Sequence, residues 1–145
     1  MNLETVPTET AATDVRILIV DDHEVMRLGI RNLLEAVPNW SVCAEASNGE
    51  EAIRKALGIL PDVIIMDITM PGMNGLEAAA EIGRTCPDIP IIMFSLHLTE
   101  DLISHFATGG IRGAVSKGEA ARDLVEAVKT VLGGGTFLPK ETSAH

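Results

Sequence analysis

Short apolar runs alternate with helix-periodic segments from residue 16 to residue 132. A strand followed by a helix, repeated several times, is the pattern of strand-helix units and a parallel sheet. The spacing predicts strands over 16–20, 40–46, 63–66, 89–94 and 113–115. Helical stripes follow each: Met26, Ile30, Leu33, Leu34 and Val37, broken by Pro38 and Asn39; then segments 50–57, 76–84 and 101–107. A last stripe of Leu124, Val125, Val128 and Leu132 stops at the glycines 133–135. Five strands and five helices define an α/β, (βα)5 chain. Runs 17–20 and 63–66 are apolar at every position, so helices must cover both faces of the sheet, giving a three-layer sandwich.

Composition bounds what such a chain can be. Its 145 residues hold one core and not two ordinary domains. With 46% hydrophobic and only 3% aromatic residues, that core must be aliphatic. A formal charge of −10 and no Lys/Arg cluster argue against direct nucleic-acid binding. Cys43 and Cys86 each lie beside apolar runs and read as free thiols of a reducing compartment. Residues 1–13 carry Glu4 and Glu9, no basic residue and no apolar stretch of signal-peptide length, and are expected to be a disordered tail. No apolar run approaches a membrane span, and a cytoplasmic location is expected.

In open α/β sheets, ligands bind beyond the carboxyl ends of the strands. The residues found there are Asp21 and Asp22 after the first run, Asp67 after the third, Ser95 after the fourth, and Ser116 and Lys117 after the fifth. Three carboxylates at one rim repel one another unless a cation compensates. Mg2+ fits that need, because it takes oxygen ligands and requires only one or two carboxylates besides water and phosphate. Asp67 can then act as a nucleophile toward phosphorus, with Lys117 and Ser95 supplying charge and a hydrogen bond to phosphoryl oxygens. Singly, each residue also has a plain reading: Asp22 a helix cap, Asp67 a loop cap, Ser95 a strand end, Lys117 a solvated cation. Four strand ends together carry the chemical reading. The loop over 69–75 holds Pro71-Gly72, suited to a type II turn, and places the Thr69 carbonyl where it can serve a metal. His23, His97 and His105 lack paired metal-ligand spacing and read as partly exposed, with His97 a candidate for tuning water access near Ser95.

With these residues placed, the chain resembles the receiver domains of two-component response regulators over residues 15–138. The match is carried by Ile-Leu-Ile-Val-Asp-Asp-His at 17–23, Ile-Ile-Met-Asp-Ile-Thr-Met-Pro-Gly-Met-Asn-Gly at 64–75, Ser95 and Lys117. Segments 109–117 and 133–139 look most like the NarL/FixJ-type subfamily. The resemblance implies a flavodoxin-like sheet of order 2-1-3-4-5 in a receiver domain over 14–138, followed by a C-terminal tail or linker over 139–145. It also implies Mg2+ dependence, a sensor histidine kinase as phosphoryl donor, and a homodimer or downstream protein as partner. Asp67 falls on the phosphoacceptor, Asp21 and Asp22 on the acidic pair, Thr69 on the carbonyl ligand, Ser95 on the hydroxyl and Lys117 on the lysine. The expected function is a phosphorylation switch, a phosphoprotein with self-phosphorylation and self-dephosphorylation chemistry and not an enzyme. Two positions depart from the family pattern: Ala114 stands where an aromatic is usual, and Gly118 stands where Pro often follows the lysine. Relatives of this subfamily continue into a helix-turn-helix output domain. Two other readings remain open at this point. One is a receiver-like interaction or dimerisation module independent of phosphate. The other is an aspartate-nucleophile phosphatase, which would want an acid at the Thr69 position.

Overall fold

The computed structural model describes residues 14–104, 106 and 110–139. Five strands, β1 (Val15–Val20), β2 (Trp40–Ala46), β3 (Val63–Asp67), β4 (Ile91–Ser95) and β5 (Ile111–Ser116), form one parallel sheet of order β2-β1-β3-β4-β5. The helices are α1 (Glu24–Glu35), α2 (Gly49–Ile59), α3 (Gly75–Thr85), α4 (Glu100–Ser104) and α5 (Ala120–Leu132), the last preceded by a single 3-10 turn, Lys117–Glu119. This is the flavodoxin-like arrangement expected.

Side chains alternate along each strand, so every strand feeds two cores. Ile17, Ile19, Val63, Ile65, Ile92 and Phe94 meet Ile30 and Leu34 of α1 and Leu124, Ala127, Val128 and Val131 of α5. Leu18, Val20, Ile64, Met66, Ile91 and Met93 meet Ala52 and Ala56 of α2 and Ala78, Ala79 and Ile82 of α3. Burial on both faces explains why β3 and β4 are buried at every position, unlike a half-exposed strand.

Several boundaries differ from the sequence reading for local reasons. The first helix ends at Glu35, short of Val37, and Asn39 takes a left-handed φ of 72° that turns the chain into β2. β4 begins at Ile91 and not at residue 89, because Pro90 has no amide to give the ladder, although its carbonyl accepts from Ile64 N. β5 is longer than 113–115, running from Ile111 to Ser116 with a register shift opposite Ile91 and Ile92. The fourth helix covers Glu100–Ser104. His105 and Ala107 of the predicted segment lie outside the described residues, as do the predicted N-terminal tail and residues 140–145. The Phe137 backbone bonds to both Arg112 O and Ala114 N, laying the C-terminal segment along the edge of β5. No helix among the described residues is long and apolar enough to cross a membrane.

Candidate functional site

The parallel order puts the carboxyl ends of β1, β3 and β5 at one rim, and the chain turns there are tightly held. Beyond β1, Asp21 N still donates to Ala46 O, extending the contact with β2 by one residue before the chain turns into α1. Asp21 is fully buried, and its Oδ1 accepts from the His23 backbone N–H at 2.8 Å. Asp67 is the last residue of β3 and is 3% exposed. Its Oδ1 lies 3.3 Å from Thr69 N, and the loop after it closes quickly, with Gly75 N donating to Ile68 O. A Cβ on Gly75 would lie 2.0 Å from the Asp67 carbonyl oxygen, so only glycine lets α3 begin this close to β3. Gly72 has φ of 75°, as a type II turn at Pro71-Gly72 requires. Asn74 then caps α3 in a capping box with Glu77.

Lys117, just past β5, returns across the rim. Its Nζ lies 2.9 Å from Asp21 Oδ2 and 3.3 Å from Asp67 Oδ2, and its side chain is nearly buried at 7% exposure. The Phe94 ring lies 5.7 Å beneath the ammonium and gives it a second attractive partner. Burial alone would push the Lys117 ammonium toward deprotonation, but Asp21 and Asp67 outweigh it and raise its pKa. Burial, followed by the Asp21 charge, raises the Asp67 carboxyl above the usual range, against the opposing pull of Lys117 and the Thr69 N–H.

The residues present fit a divalent cation. Ligand atoms of Asp21, Asp22, His23 and Asp67 lie within 4.8 Å of one another. Asp21 Oδ2 and Asp22 Oδ1 are buried and accept no hydrogen bond of good geometry; their near neighbours are the Lys117 ammonium and the His23 ring. One ammonium facing three carboxylates leaves negative charge uncompensated, and the donors are chiefly hard oxygens, the set Mg2+ takes.

Asp21, Asp22, Asp67 and Lys117 are therefore brought together as the sequence predicted, and Lys117 is paired and not solvated. Asp22 does not cap α1: the N-cap position belongs to His23, with no side-chain cap bond. Thr69 lies exposed two residues beyond Asp67, its N–H on the Asp67 carboxylate. Ser95 ends β4 at the same rim and is 8% exposed, but its hydroxyl is turned to the His97 backbone, 3.3 Å from both His97 O and His97 N. Ser116 caps the 3-10 turn through Gly118 N. His23 and His97 are exposed, as expected, yet the His23 ring lies 3.2 Å from both Asp21 Oδ1 and Asp22 Oδ1. The sequence reading gave His23 no role at the rim and did not single out Arg27, whose side chain reaches the Asp21 carbonyl. Both contacts depend on how α1 leaves the turn. Arg27 lies four residues after His23, on the first turn of α1, and that spacing is the signal available.

Known proteins place this geometry. The family model described as response regulator receiver domain matches residues 17–129. The response regulator UvrY of Escherichia coli K12 is 38% identical over 127 residues, 88% of this chain and 58% of UvrY. The transcriptional regulatory protein DegU of Brevibacillus brevis is 37% identical over 129 residues, 88% of this chain and 55% of DegU. Among solved structures, a LuxR-family two-component response regulator from Aurantimonas sp. SI85-9A1 superposes with a TM-score of 0.83 at 34% identity, covering 86% of this chain and 89% of that one. The chain thus spans little more than half the length of the curated relatives it matches. Fold, rim and relatives agree: the chain belongs to the response regulator receiver domain family of two-component systems, in keeping with the NarL/FixJ type.

Proposed function

We propose that this receiver accepts a phosphoryl group on Asp67, from a phosphohistidine of a sensor kinase, in a Mg2+-dependent reaction, and that the acyl phosphate switches its surface. The observation that carries the reading is Lys117 Nζ shared between Asp21 and Asp67 in a nearly buried pocket with uncompensated acidic charge. An Asp67 carboxylate oxygen attacks phosphorus, the P–N bond to the donor imidazole breaks, and the leaving nitrogen keeps the electron pair. Asp21, Asp22, Asp67 and the Thr69 carbonyl would hold the metal, which when bound supplies charge neutralisation for the transferred oxygens. Lys117 exchanges its contact with Asp67 for one with a phosphoryl oxygen. Ser95 gives up its bond to His97 and donates to another.

The chain is then a phosphoacceptor with self-phosphorylation and self-dephosphorylation chemistry, working in the cytoplasm with a histidine kinase and a protein partner, or a second copy, as reader. Incubation with acetyl phosphate and Mg2+ should add one phosphoryl mass to the wild type and none to Asp67→Asn. An unlabelled wild type beside a labelled control receiver would overturn the reading. A second reading, an interaction module independent of phosphate, is favoured by Ala114 and by the Ser95 hydroxyl turned away from Asp67. Full signalling by Asp67→Asn in cells would establish it in place of the first.

A further inference from the structure

The backbone of Asp21 lies just past the last ladder pair of β1 with β2, Val20 with Ala46, so its carbonyl must find a donor outside the sheet. Arg27 supplies it. From the first turn of α1, Arg27 reaches back to place Nη1 2.6 Å from Asp21 O, while its Nε lies 2.8 Å from Glu45 Oε1 on β2. Glu45 is itself held: Arg31 donates to Oε2 through Nε at 2.9 Å and Nη2 at 2.5 Å, and Lys55 Nζ holds its main-chain oxygen at 2.5 Å. The Arg27 side chain is 17% exposed and that of Glu45 27%, so the fork is formed largely out of water. Burial alone would raise the Glu45 carboxyl, but the hydrogen bonds from Arg31 and Arg27 prevail and hold it below the usual range, charged and able to keep the guanidinium fixed.

A planar guanidinium held on both sides fixes the direction of whatever it donates to. Here that is the peptide joining Asp21 to Asp22, the two acidic residues whose carboxylates line the rim. We propose that Arg27, gripped by Glu45, is a positioning residue that sets the aim of the Asp21-Asp22 turn and thereby the affinity of the acidic pocket for a divalent cation. The proposal rests on the phosphoacceptor reading above and names a residue outside the pocket that governs it. Arg31 is the internal control, since it shares Glu45 but no hydrogen bond joins it to Asp21.

The test is calorimetric titration of Mg2+ into the wild type, Arg27→Gln, Arg27→Lys and Arg31→Gln, with urea unfolding of each. Groups that orient metal ligands from behind are worth about tenfold or more in affinity, so Arg27→Gln should weaken Mg2+ binding by about tenfold. Arg31→Gln should lose comparable stability and bind Mg2+ as the wild type does. Arg27→Lys should recover part of the affinity, because an ammonium keeps the charge and N–H donors but lacks the rigid planar fork that spans Glu45 and the Asp21 carbonyl. Wild-type affinity in Arg27→Gln, or an equal loss in Arg31→Gln, would overturn the positioning role. Should Arg27→Gln fail to fold, Glu45→Gln takes its place: weakened Mg2+ binding supports the clamp and unchanged binding overturns it. A wild type that takes up no Mg2+ would overturn the phosphoacceptor reading, and the clamp with it, before any variant is compared.

Discussion

The two halves of the rim are built differently. Around β1, β2 and β3, Asn48 caps α2, Asn74 caps α3 in a capping box, and an Arg27-Glu45-Arg31 fork braces the turn after β1. Around β4 and β5, none of the described residues of α4, Glu100–Ser104, is buried, and the Ser95 hydroxyl is spent on the His97 backbone. A groove of about 440 Å³ opens between α4 and the C-terminal segment, lined by Ile103, Phe106, Ile111 and Leu138 among others. Caps, braces and burial keep a site in one geometry, while few buried contacts let a segment move at low cost. Caps and braces suit the first half to hold charged groups in one geometry, and under the proposed function the second half is the one that changes shape.

The largest expected effect lies in the first half. Asp67→Asn should abolish phosphoryl uptake by mass spectrometry. It should also raise stability in urea at neutral pH, because burying an ionised carboxylate beside Asp21 is unfavourable. Lys117→Met, at the end of β5, removes the cation that reaches across from the second half and leaves the first half's carboxylates uncompensated, which should cost about 3 kcal/mol. Added Mg2+ should restore much of that loss, and a loss insensitive to Mg2+ would break the assignment of the Asp21 and Asp67 carboxylates as the cation pocket.

In the second half, Ala114→Tyr tests whether the region under α4 yields. Ala114 is fully buried against the core that includes Met93, Leu98 and Phe106. If α4 were as rigid as α2, overpacking would cost about 1–3 kcal/mol; a soft α4 predicts a value at or below the low end, measured by urea unfolding. The smallest effect concerns Glu51 at the start of α2. Hydrogen bonding from the Ser47 backbone, then from Lys55, pushes its carboxyl down to about 2 from an ordinary 4.5. A depressed folded-state value contributes stability above the unfolded one and loses it as pH falls between them. Wild type should therefore lose more stability than Glu51→Gln as pH drops from 4.5 toward 2, read as a difference in thermal midpoints.

Most of the fold and the charged residues of the site were legible because they follow from local rules. Apolar runs on both faces announced the parallel sheet, and the rule that strand ends hold ligands brought Asp21, Asp22, Asp67 and Lys117 to one place. What escaped was set by tertiary geometry. The orientation of Ser95 depends on the path of the backbone through His97, which no periodicity encodes. The fork through Arg27 joins residues 18 apart in sequence, and its functional end is a main-chain oxygen. The turn into β2 and the late start of β4 reflect single residues, Asn39 and Pro90, acting on boundaries that an apolar pattern blurs.

The account turns on which atom takes the phosphoryl group. Wild-type protein treated with acetyl phosphate and Mg2+, then reduced with borohydride and digested, should show Asp67 converted to homoserine, with Asp21 and Asp22 intact. Homoserine at either of those positions, or a phosphoryl label that survives on another residue while Asp67 stays unmodified, would contradict it.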